Sequence, residues 1–436
     1  MISRLSGYIK YLIKRYTSKD TFGANVLILF MGTAIAQAIS LGASPILTRS
    51  YSPGDFGIFA IYIAIASILS VLATGRYELS ITLPKDDDTA INIFALSFLI
   101  TVIISLLSLI AAAVFNQPLA SLLNIKEINR QMYLIPLTVF MTGAYQTLNY
   151  WLIRRKLFKA LAFSKVSLFT SMVCAQIALF FICRNVNGLI YGYIIGQAIG
   201  LTILTWHTLK NDAGRIKLVY WRRIIQQAKR YINFPLYSLL SDFINITSNQ
   251  IPNIFLNNHF GTSSAGFFSL SQKILDGPVA LLGGSALDVF KERASSDYIK
   301  YGNCRAIYVK LFKSLLLFSL APAIAFAFFA PQLFAFVFGA RWLAAGQYAQ
   351  ILSPMFFLRF ISRPFGYIFY VAEKQNYNLV WQIFLLIFTV LSFTIGVNMH
   401  SAKIGILCFS LSYSALYIAY ILLSFYFANG DIKKNG

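Results

Sequence analysis

The sequence YSPGDFGIFAIYIAIASILSVLATGRYELSITLPK, residues 51–85, decides the fold of this chain. A polar turn over residues 51–55 leads into about 20 apolar residues, and a helix of that length crosses a bilayer at about 1.5 Å per residue. The run then meets Arg76 and Glu78 before its apolar character has faded. Charge embedded in a membrane segment is costly, so these residues are either a functional site or an anchor at the headgroup level.

Composition excludes a soluble globular protein. Hydrophobic residues make up 58% of the 436 residues and charged residues only 12%, whereas a soluble domain carries about 25% charged residues. The mean hydropathy is +0.66, and long apolar runs recur from end to end. The four cysteines show neither CxxC nor metal-ligand spacing, so the sequence indicates no metal site.

Apolar stretches along the chain predict an all-α integral membrane protein with about twelve transmembrane helices. Each window is roughly 20 residues long, which is the length that spans the hydrocarbon core. The connections between them are too short to form a soluble domain. The predicted spans lie near residues 24–46, 56–76, 91–114, 132–151, 162–183, 188–208, 235–256, 266–290, 308–330, 347–371, 377–398 and 403–427.

The positive charges assign the two sides of the membrane. With the N-terminus in the cytoplasm, about 26 Lys and Arg residues fall in inner connections and about 6 in outer connections. This bias follows the positive-inside rule and predicts that both termini are cytoplasmic. The net charge of +22 is then explained by topology, and no nucleic-acid partner is needed to account for it.

The chain divides into two halves of six predicted spans each. Residues 1–209 form an N-terminal lobe that begins with a basic amphipathic segment, and residues 235–436 form a C-terminal lobe. Between them, residues 210–234 combine a helical stripe of apolar residues with a row of arginines and lysines. This linker predicts a basic helix that lies on the membrane surface.

The two halves carry a weak internal repeat. Pro45 followed by Gly57-Ile58-Phe59 resembles Pro252 followed by Gly266-Phe267-Phe268, at the same junction of the first and second span of each half. An even number of spans per half predicts parallel repeats about the membrane normal.

Basic residues inside the predicted spans are the first candidates for a binding site. Arg359 lies about 12 residues into the tenth span, roughly 18 Å deep, where its guanidinium cannot easily reach the interface. Arg363 follows at i+4 on the same helical face. Two stacked arginines suit a phosphate or diphosphate, and Lys273 adds positive charge. Structural pairing of Arg359 with Asp242 or Asp276 is the alternative.

Acidic and amide side chains in the spans form a second group of candidates. The acids that could carry a proton or cation are Glu78, Asp242 and Asp276. Lys273 and Asp276 stand at i and i+3, so mutual neutralisation is an alternative role for them. Asn249 and Gln250 line either a cavity or a helix contact, and interhelical hydrogen bonding alone would account for them.

The motifs do not predict an enzyme. His207, His259 and His400 are isolated, with no acid at metal-ligand spacing. The run Asp86-Asp87-Asp88 looks like a metal-dependent glycosyltransferase motif, but its short inner loop without a nucleotide-binding domain favours a solvated loop. No Walker motif occurs, so ATP hydrolysis is not the energy source in this chain. A transporter without a cofactor, coupled to a proton or sodium gradient, is the favoured interpretation.

Several blocks resemble a known family, the bacterial polysaccharide flippases of the Wzx or O-antigen translocase type. YSPGDFGIFAIY and ATGRYELSITLPKDDDTA are similar to the first-half signature of that family. Two further blocks add to the resemblance, NFPLYSLLSDFINITSNQIPNIFLNNHFGTSSAGFFSLSQKILDGP and FGARWLAAGQYAQILSPMFFLRFISRPFGYIFYVAEKQ. The resemblance implies the multidrug/oligosaccharidyl-lipid/polysaccharide exporter fold, in which two six-helix bundles rock around a central cavity.

The resemblance also implies a substrate, an undecaprenyl-diphosphate-linked oligosaccharide moved from the cytoplasmic to the periplasmic leaflet of the bacterial inner membrane for O-antigen lipopolysaccharide or related surface polysaccharide. Membrane lipids, the polymerase and the chain-length regulator of the same pathway are the implied partners. The charged positions that it assigns to the cavity are Arg76, Glu78, Lys273, Asp276, Arg359 and Arg363. Two alternatives stay open: a membrane-embedded O-antigen polymerase or ligase, and a drug/ion antiporter of the same fold.

The topology gives Arg76 and Glu78 a position. The second span descends from the outer face near Phe56, so about 20 residues later Arg76 has reached the cytoplasmic side. Residues at i and i+2 of a helix do not face each other, which predicts no private salt bridge between the two. At least one of them is then expected to face another helix or the cavity, at an inner mouth where a diphosphate is first met.

Overall fold

The computed structural model describes residues 21–122, 131–372 and 374–430, and across these ranges the chain is helical without β-strands. The predicted N-terminal surface segment lies almost entirely outside the described residues. In the described part, fifteen α-helices follow one another: α1 Thr21–Gly42, α2 Ser44–Ser50, α3 Pro53–Leu72, α4 Asp87–Leu122, α5 Ile135–Arg154, α6 Phe158–Cys183, α7 Asn187–Asp212, α8 Trp221–Arg230, α9 Leu239–Phe260, α10 Thr262–Tyr301, α11 Arg305–Phe338, α12 Leu343–Ser362, α13 Ile368–Val371, α14 Gln375–Asn398 and α15 Ala402–Ala428.

Each of the twelve predicted spans coincides with a long helix, and the predicted fold class is confirmed. By length and composition, eight stretches of the described chain are apolar enough to cross a membrane. The spans that fall short are α5, α9, α10 and α12. The last three carry the charged and amide residues singled out above, so their low hydropathy reflects polar side chains placed inside the bundle.

The helices form two lobes. In the N-terminal lobe α6 packs against α1 and α7, and α5 packs against α3, α4 and α7. In the C-terminal lobe α12 packs against α10, α11 and α15, and α14 packs against α9 and α15. The lobes meet chiefly where α3 lies against α9 and α10. We call the end that carries the α3–α4 and α5–α6 connections the inner end, and the opposite end the outer end.

Local sequence signals set the limits of α3. Ser52 and Asp55 form a capping box at its start, with Pro53 in the first turn. The helix ends at Leu72, four residues before the predicted limit of the span. Gly75 and Arg76 both adopt left-handed backbone conformations, with φ of 58° and 62°, and such residues cannot continue a right-handed helix.

A glycine pair lets α3 and α10 cross in backbone contact at the outer end. A Cβ atom on Gly57 would collide with the carbonyl oxygen of Thr262, and one on Gly266 would collide with the carbonyl oxygen of Pro53. Only glycine fits such an approach. The two glycines are the matching positions of the internal repeat, so the crossing is two-fold in character.

A second contact joins the lobes at the same end. The side chains of Arg341 and Trp342, which precede α12, both donate hydrogen bonds to the carbonyl oxygen of Thr48 in α2, the indole at 2.9 Å. The ring of Phe56 meets the indole of Trp342 edge to face, with centroids 5.0 Å apart. The outer end is therefore closed by backbone contact, hydrogen bonds and aromatic packing together.

An ion-pair network ties the inner end of the N-terminal lobe. Asp87 accepts from Arg154 and Arg155 at 2.9 Å each and from Arg215 at 3.0 Å. Asp212, whose side chain is buried, holds Arg155 and Arg215 at 3.2 and 3.1 Å. The expectation of a solvated loop over residues 86–88 is wrong for Asp87, because arginines from two other connections converge on it. Its two acidic neighbours are exposed.

We expect Gly266→Ala to lower the free energy of unfolding by about 1–3 kcal/mol, because the new methyl group meets a backbone carbonyl that has no freedom to move aside. Gly42→Ala is the matched control, since a Cβ there meets nothing within 4 Å and should change stability by less than about 0.5 kcal/mol. Denaturation of the detergent-solubilised protein measures both. Equal stability of the two variants would show that the crossing tolerates a side chain.

Asp87→Asn is expected to destabilise the inner end by about 1–3 kcal/mol, since it removes the charge that three guanidinium groups share. Asp88→Asn changes the same chemical group at an exposed neighbouring position and is expected to be neutral. Thermal unfolding of both variants in the same detergent makes the comparison. A loss of stability in both would point to the loop sequence rather than to the network.

Candidate functional site

A polar cavity of about 320 Å³ lies between the two lobes. One wall is apolar and comes from α3, whereas the facing wall is polar and comes from α9, α10 and α12. The polar positions recur every three or four residues along α9 and α10, which places them on one helical face. The lining residues are Phe59, Ala60, Ile63, Asn249, Gln250, Asn253, Ser269, Gln272, Lys273, Asp276 and Arg359.

Arg359 is held at the cavity wall by a carboxylate and an aromatic ring. Its Nη1 lies 3.3 Å from Oδ1 of Asp276, and the two side chains are 24% and 35% exposed. Its guanidinium also lies over the ring of Phe356, 5.5 Å from the centroid. Of the two pairings that the sequence left open, the structure has Arg359 with Asp276 and not with Asp242, because α10 and α12 pack side by side.

Lys273 is the second positive charge of the cavity. It precedes Asp276 by three residues on the same face of α10, yet Asp276 is paired with Arg359. Within the part of the chain that the structure describes, Lys273 forms no ion pair. Its ammonium group is therefore available to a ligand in the cavity.

The predicted amides Asn249 and Gln250 both line the cavity. The side chain of Asn249 donates to the carbonyl oxygen of Asn245 at 2.7 Å, and Gln250 accepts from Asn253 at 3.3 Å. These bonds run along α9 itself, so the described contacts do not support the interhelical role. The remaining oxygen of Asn253 is buried without a partner, which leaves an acceptor directed at the site.

Three lining residues were missed by the sequence reasoning. Asn253 continues the polar row of α9 by one further turn, and Ser269 and Gln272 extend the row that contains Lys273 and Asp276. The same periodicity contained the signal, but uncharged residues at these positions are too common in membrane helices to stand out.

Arg363 lies apart from the residues that line the cavity. The α12 helix ends at Ser362, and Arg363 opens a 3₁₀ helix that runs to Tyr367. Its side chain is exposed and donates to the carbonyl oxygen of Val279 in α10 at 3.3 Å. In this conformation Arg363 connects two helices, and its role as a ligand for phosphate stays a prediction.

Arg76 joins the lobes at the inner end. Its guanidinium lies 3.2 Å from Glu78 and 2.8 Å from Asp242 in the first turn of α9. The expectation that Arg76 reaches another helix is confirmed. The expectation that it does not contact Glu78 is wrong, because the chain leaves the α-helix at Leu72 and the i, i+2 rule no longer applies. We call Arg76, Glu78 and Asp242 the inner gate.

The members of the inner gate differ in exposure. The carboxylate of Glu78 is fully buried, whereas the side chain of Asp242 is 42% exposed. One oxygen of Glu78 and the Nε of Arg76 are buried without a hydrogen-bond partner. The buried pair within the N-terminal lobe is thus the permanent part of the gate, and the contact with Asp242 is the part that water reaches.

The charges of the two regions have opposite balance. The cavity holds two cations, Lys273 and Arg359, against one acid, Asp276. The inner gate holds one cation, Arg76, against two acids, so in this state a diphosphate would have to displace a carboxylate to reach it. Among the described residues, no cluster of His, Cys, Asp or Glu is arranged to hold a metal ion.

Solved structures with a similar fold are membrane transporters. The lipid II flippase MurJ in an inward closed conformation aligns with a TM-score of 0.70 at 12% identity, over 91% of this chain and 87% of its own. The MATE multidrug transporter DinF-BH, in a complex with a small molecule, aligns with 0.68 at 14% identity, over 94% and 95%.

A third similar structure is a MOP superfamily transporter from Pyrococcus furiosus, with a TM-score of 0.64 at 17% identity over 92% of this chain and 94% of its own. The identities are low, so these likenesses establish the fold alone: that of MOP superfamily transporters. A search among curated proteins gives no significant match. The model of one family, polysaccharide biosynthesis protein, matches residues 46–347, which is more than half of the sequence. This chain therefore belongs to the polysaccharide biosynthesis protein family.

Proposed function

We propose that this chain is a flippase that translocates undecaprenyl-diphosphate-linked oligosaccharide units from the cytoplasmic to the periplasmic leaflet by alternating access. The observation that carries the proposal is the positive balance of the central cavity, with Lys273 and Arg359 against Asp276. A diphosphate needs positive charge in an environment of low dielectric constant, where such pairing is strong.

Family membership and fold support the same class of cargo. The family is one of polysaccharide biosynthesis proteins, and a structure with the same fold belongs to a lipid II flippase. Both fit a transporter and not an enzyme. A carrier lipid with a diphosphate and sugars combines a charged group with many hydroxyl groups, which matches a site of cations and amides.

The lining residues suggest a division of roles. The planar guanidinium of Arg359 suits bidentate binding of the diphosphate, and Lys273 adds a compact point charge. Asn249, Gln250 and Asn253 offer amide donors and acceptors to the first sugar. These amides face α3, whose apolar wall would exclude water from the bound headgroup.

Asp276 links cargo binding to the uptake of an ion. A diphosphate that takes over Arg359 removes the cation that holds the Asp276 carboxylate. An unpaired carboxylate in a bilayer is costly, and uptake of a proton or sodium ion neutralises it. Coupling to an ion gradient would then arise from competition of two anions for one arginine.

The inner gate supplies the moving contact. The outer end is closed by several contacts, whereas the inner end is joined through the ion pair of Arg76 with Asp242. Separation of the lobes would leave Arg76 with its buried partner Glu78 and release Asp242 to water. Since no charge is then left buried alone, opening is inexpensive.

The predicted setting follows from this function. The bias of positive charge places the inner end and both termini in the cytoplasm, and a carrier-lipid flippase would operate in the bacterial inner membrane. The polymerase and the chain-length regulator of the same surface polysaccharide, including O-antigen of lipopolysaccharide, are the proposed partners.

A drug/ion antiporter is the second candidate, since a structure with this fold is a multidrug transporter in a complex with a small molecule and the inner gate is acidic. The balance of the cavity argues against a cationic drug, because Lys273 and Arg359 would repel it.

Loss of the gene is expected to leave lipid-linked oligosaccharide units on the cytoplasmic leaflet. Arg359→Ala should reproduce this block, with export reduced at least about tenfold, because a charged hydrogen bond contributes about 1.5–3 kcal/mol. Arg359→Lys keeps the charge and should retain part of the export. The measurement is the amount of lipid-linked units in each leaflet at equal protein level.

The control is Arg49→Ala, which removes an exposed arginine outside the cavity and should export normally. Units that reach the outer leaflet but stay unpolymerised in the deletion strain would identify a polymerase instead. Normal export by Arg359→Ala would remove Arg359 from the site.

Asp242→Ala is expected to open the inner end more often. A partly exposed ion pair contributes up to about 1 kcal/mol, so the open population should rise by up to about fivefold. The measurement is the rate at which an impermeant maleimide labels Asn249→Cys from the inner side, in a background without native cysteines. Asp88→Ala serves as the control and should leave the rate unchanged. An unchanged rate in Asp242→Ala would show that the pair does not close the cavity.

A further inference from the structure

A second cavity lies outside the transport site, at the inner end of the N-terminal lobe. It has a volume of about 400 Å³ and opens between α8 and α4. Among the described residues that line it, one is charged and the others are apolar or aromatic. They are Tyr77, Leu96, Leu99, Trp221, Ile224, Ile225, Ala228, Lys229 and Ile232. We call this cavity the α8 cleft, and it shares no residue with the central cavity.

The α8 cleft is held open by specific hydrogen bonds. The hydroxyl of Tyr77 donates to the carbonyl oxygen of Ala228 at 2.9 Å. The side chain of Asn92 accepts from the backbone of Tyr220 and donates to that of Leu218, at 2.9 and 3.1 Å. These bonds fix both ends of the connection around α8. The cleft is therefore a feature of the folded lobe and not a gap beside a loose helix.

Exposed apolar side chains surround the α8 cleft. Ile224 is buried against the lobe, but Trp221, Ile225 and Ile232 are 64%, 42% and 46% exposed. Such exposure is costly in water but not against hydrocarbon chains. The outward face of α8 therefore lies at the level where lipid headgroups meet the acyl chains.

Positive charge lies at the rim of the α8 cleft. Lys229 lines it, and its basic neighbours on α8 are exposed with it. The contacts of two of these neighbours are cation–π contacts, Arg223 with the ring of Tyr220 and Arg230 with the ring of Tyr231. An apolar floor beside free positive charge is complementary to a molecule with an acyl chain and an anionic head.

We propose that the α8 cleft binds an anionic phospholipid of the adjoining leaflet, with an acyl chain along Leu96 and Leu99 and the phosphate at Lys229. A peptide partner would leave backbone groups without acceptors on this apolar floor. The polar area needed for sugars, present in the central cavity, is missing among the lining residues. The proposal is independent of the proposed cargo, because no residue of the cargo site is involved.

The position of the site gives the bound lipid an effect on the inner gate. Tyr77, which contacts α8, directly follows Arg76. From α8 the chain continues through the π-helical turn Phe234–Ser238 into α9, which carries Asp242. That turn also contacts the 3₁₀ helix Tyr77–Thr82. A lipid in the cleft braces the segment that connects both partners of the moving ion pair.

Quenching of Trp221 fluorescence by brominated lipids tests the proposal with the full chain in phosphatidylcholine nanodiscs. The signal of Trp221 is the difference between the protein and Trp221→Phe, at equal mole fractions of brominated phosphatidylglycerol or brominated phosphatidylcholine. We expect half-quenching at about fivefold lower mole fraction of phosphatidylglycerol, because one lysine near the surface contributes about 1 kcal/mol.

Two variants separate a site from general membrane contact. Lys229→Gln should abolish the preference for phosphatidylglycerol, whereas Lys229→Arg should keep it. Lys310→Gln, at an exposed lysine of the other lobe, is the matched control and should also keep it. Equal quenching by both lipids, no quenching by either, or an unchanged preference in Lys229→Gln would each overturn the proposal.

Discussion

The crossing of α3 and α10 at Gly57 and Gly266 determines the arrangement of this protein. Two backbones in direct contact bring the lobes together at the outer end more closely than side chains would allow. Toward the inner end the side chains of the same helices grow larger, and a space remains between the lobes. The cavity lies in that space, with α3 as its apolar wall and α10 as its charged wall. A methyl group at either glycine would change the angle on which everything else depends.

The two ends of the molecule are closed by different kinds of contact. The outer end combines backbone contact with hydrogen bonds to Thr48 and aromatic packing, whereas the inner end is joined through Arg76 and Asp242. Packing of apolar and backbone groups resists separation at any pH or ionic strength, but a partly exposed ion pair exchanges readily with water and salt. This asymmetry fits a transporter whose inner gate opens first. It also explains why a fully buried Glu78 is placed beside Arg76, since it keeps the guanidinium partnered in either state.

Much of the candidate site could be predicted from single residues. Charge inside an apolar span is rare, so Lys273, Asp276 and Arg359 stood out, and all three line the cavity. The uncharged members Ser269, Gln272 and Asn253 did not, because amides and hydroxyls in membrane helices often serve only helix contacts. The contact of Arg76 with Glu78 was excluded by helical geometry that ends at Leu72. Left-handed residues after that point redirect the chain, and no apolar pattern marks where such a turn begins.

The sequence by itself determined the membrane class, the number of long helices and the sidedness expected from loop charge, because each depends on local composition and on the cost of charge in lipid. Tertiary structure alone decided which partners meet. Asp276 pairs with Arg359 and Asp242 with Arg76, although the spacing along the chain allowed other pairings. Such choices depend on which helices lie side by side and at what depth, and those depend on a glycine crossing far from any of the four residues. The α8 cleft is a further case, since its floor belongs to α4 and its rim to a helix more than a hundred residues later.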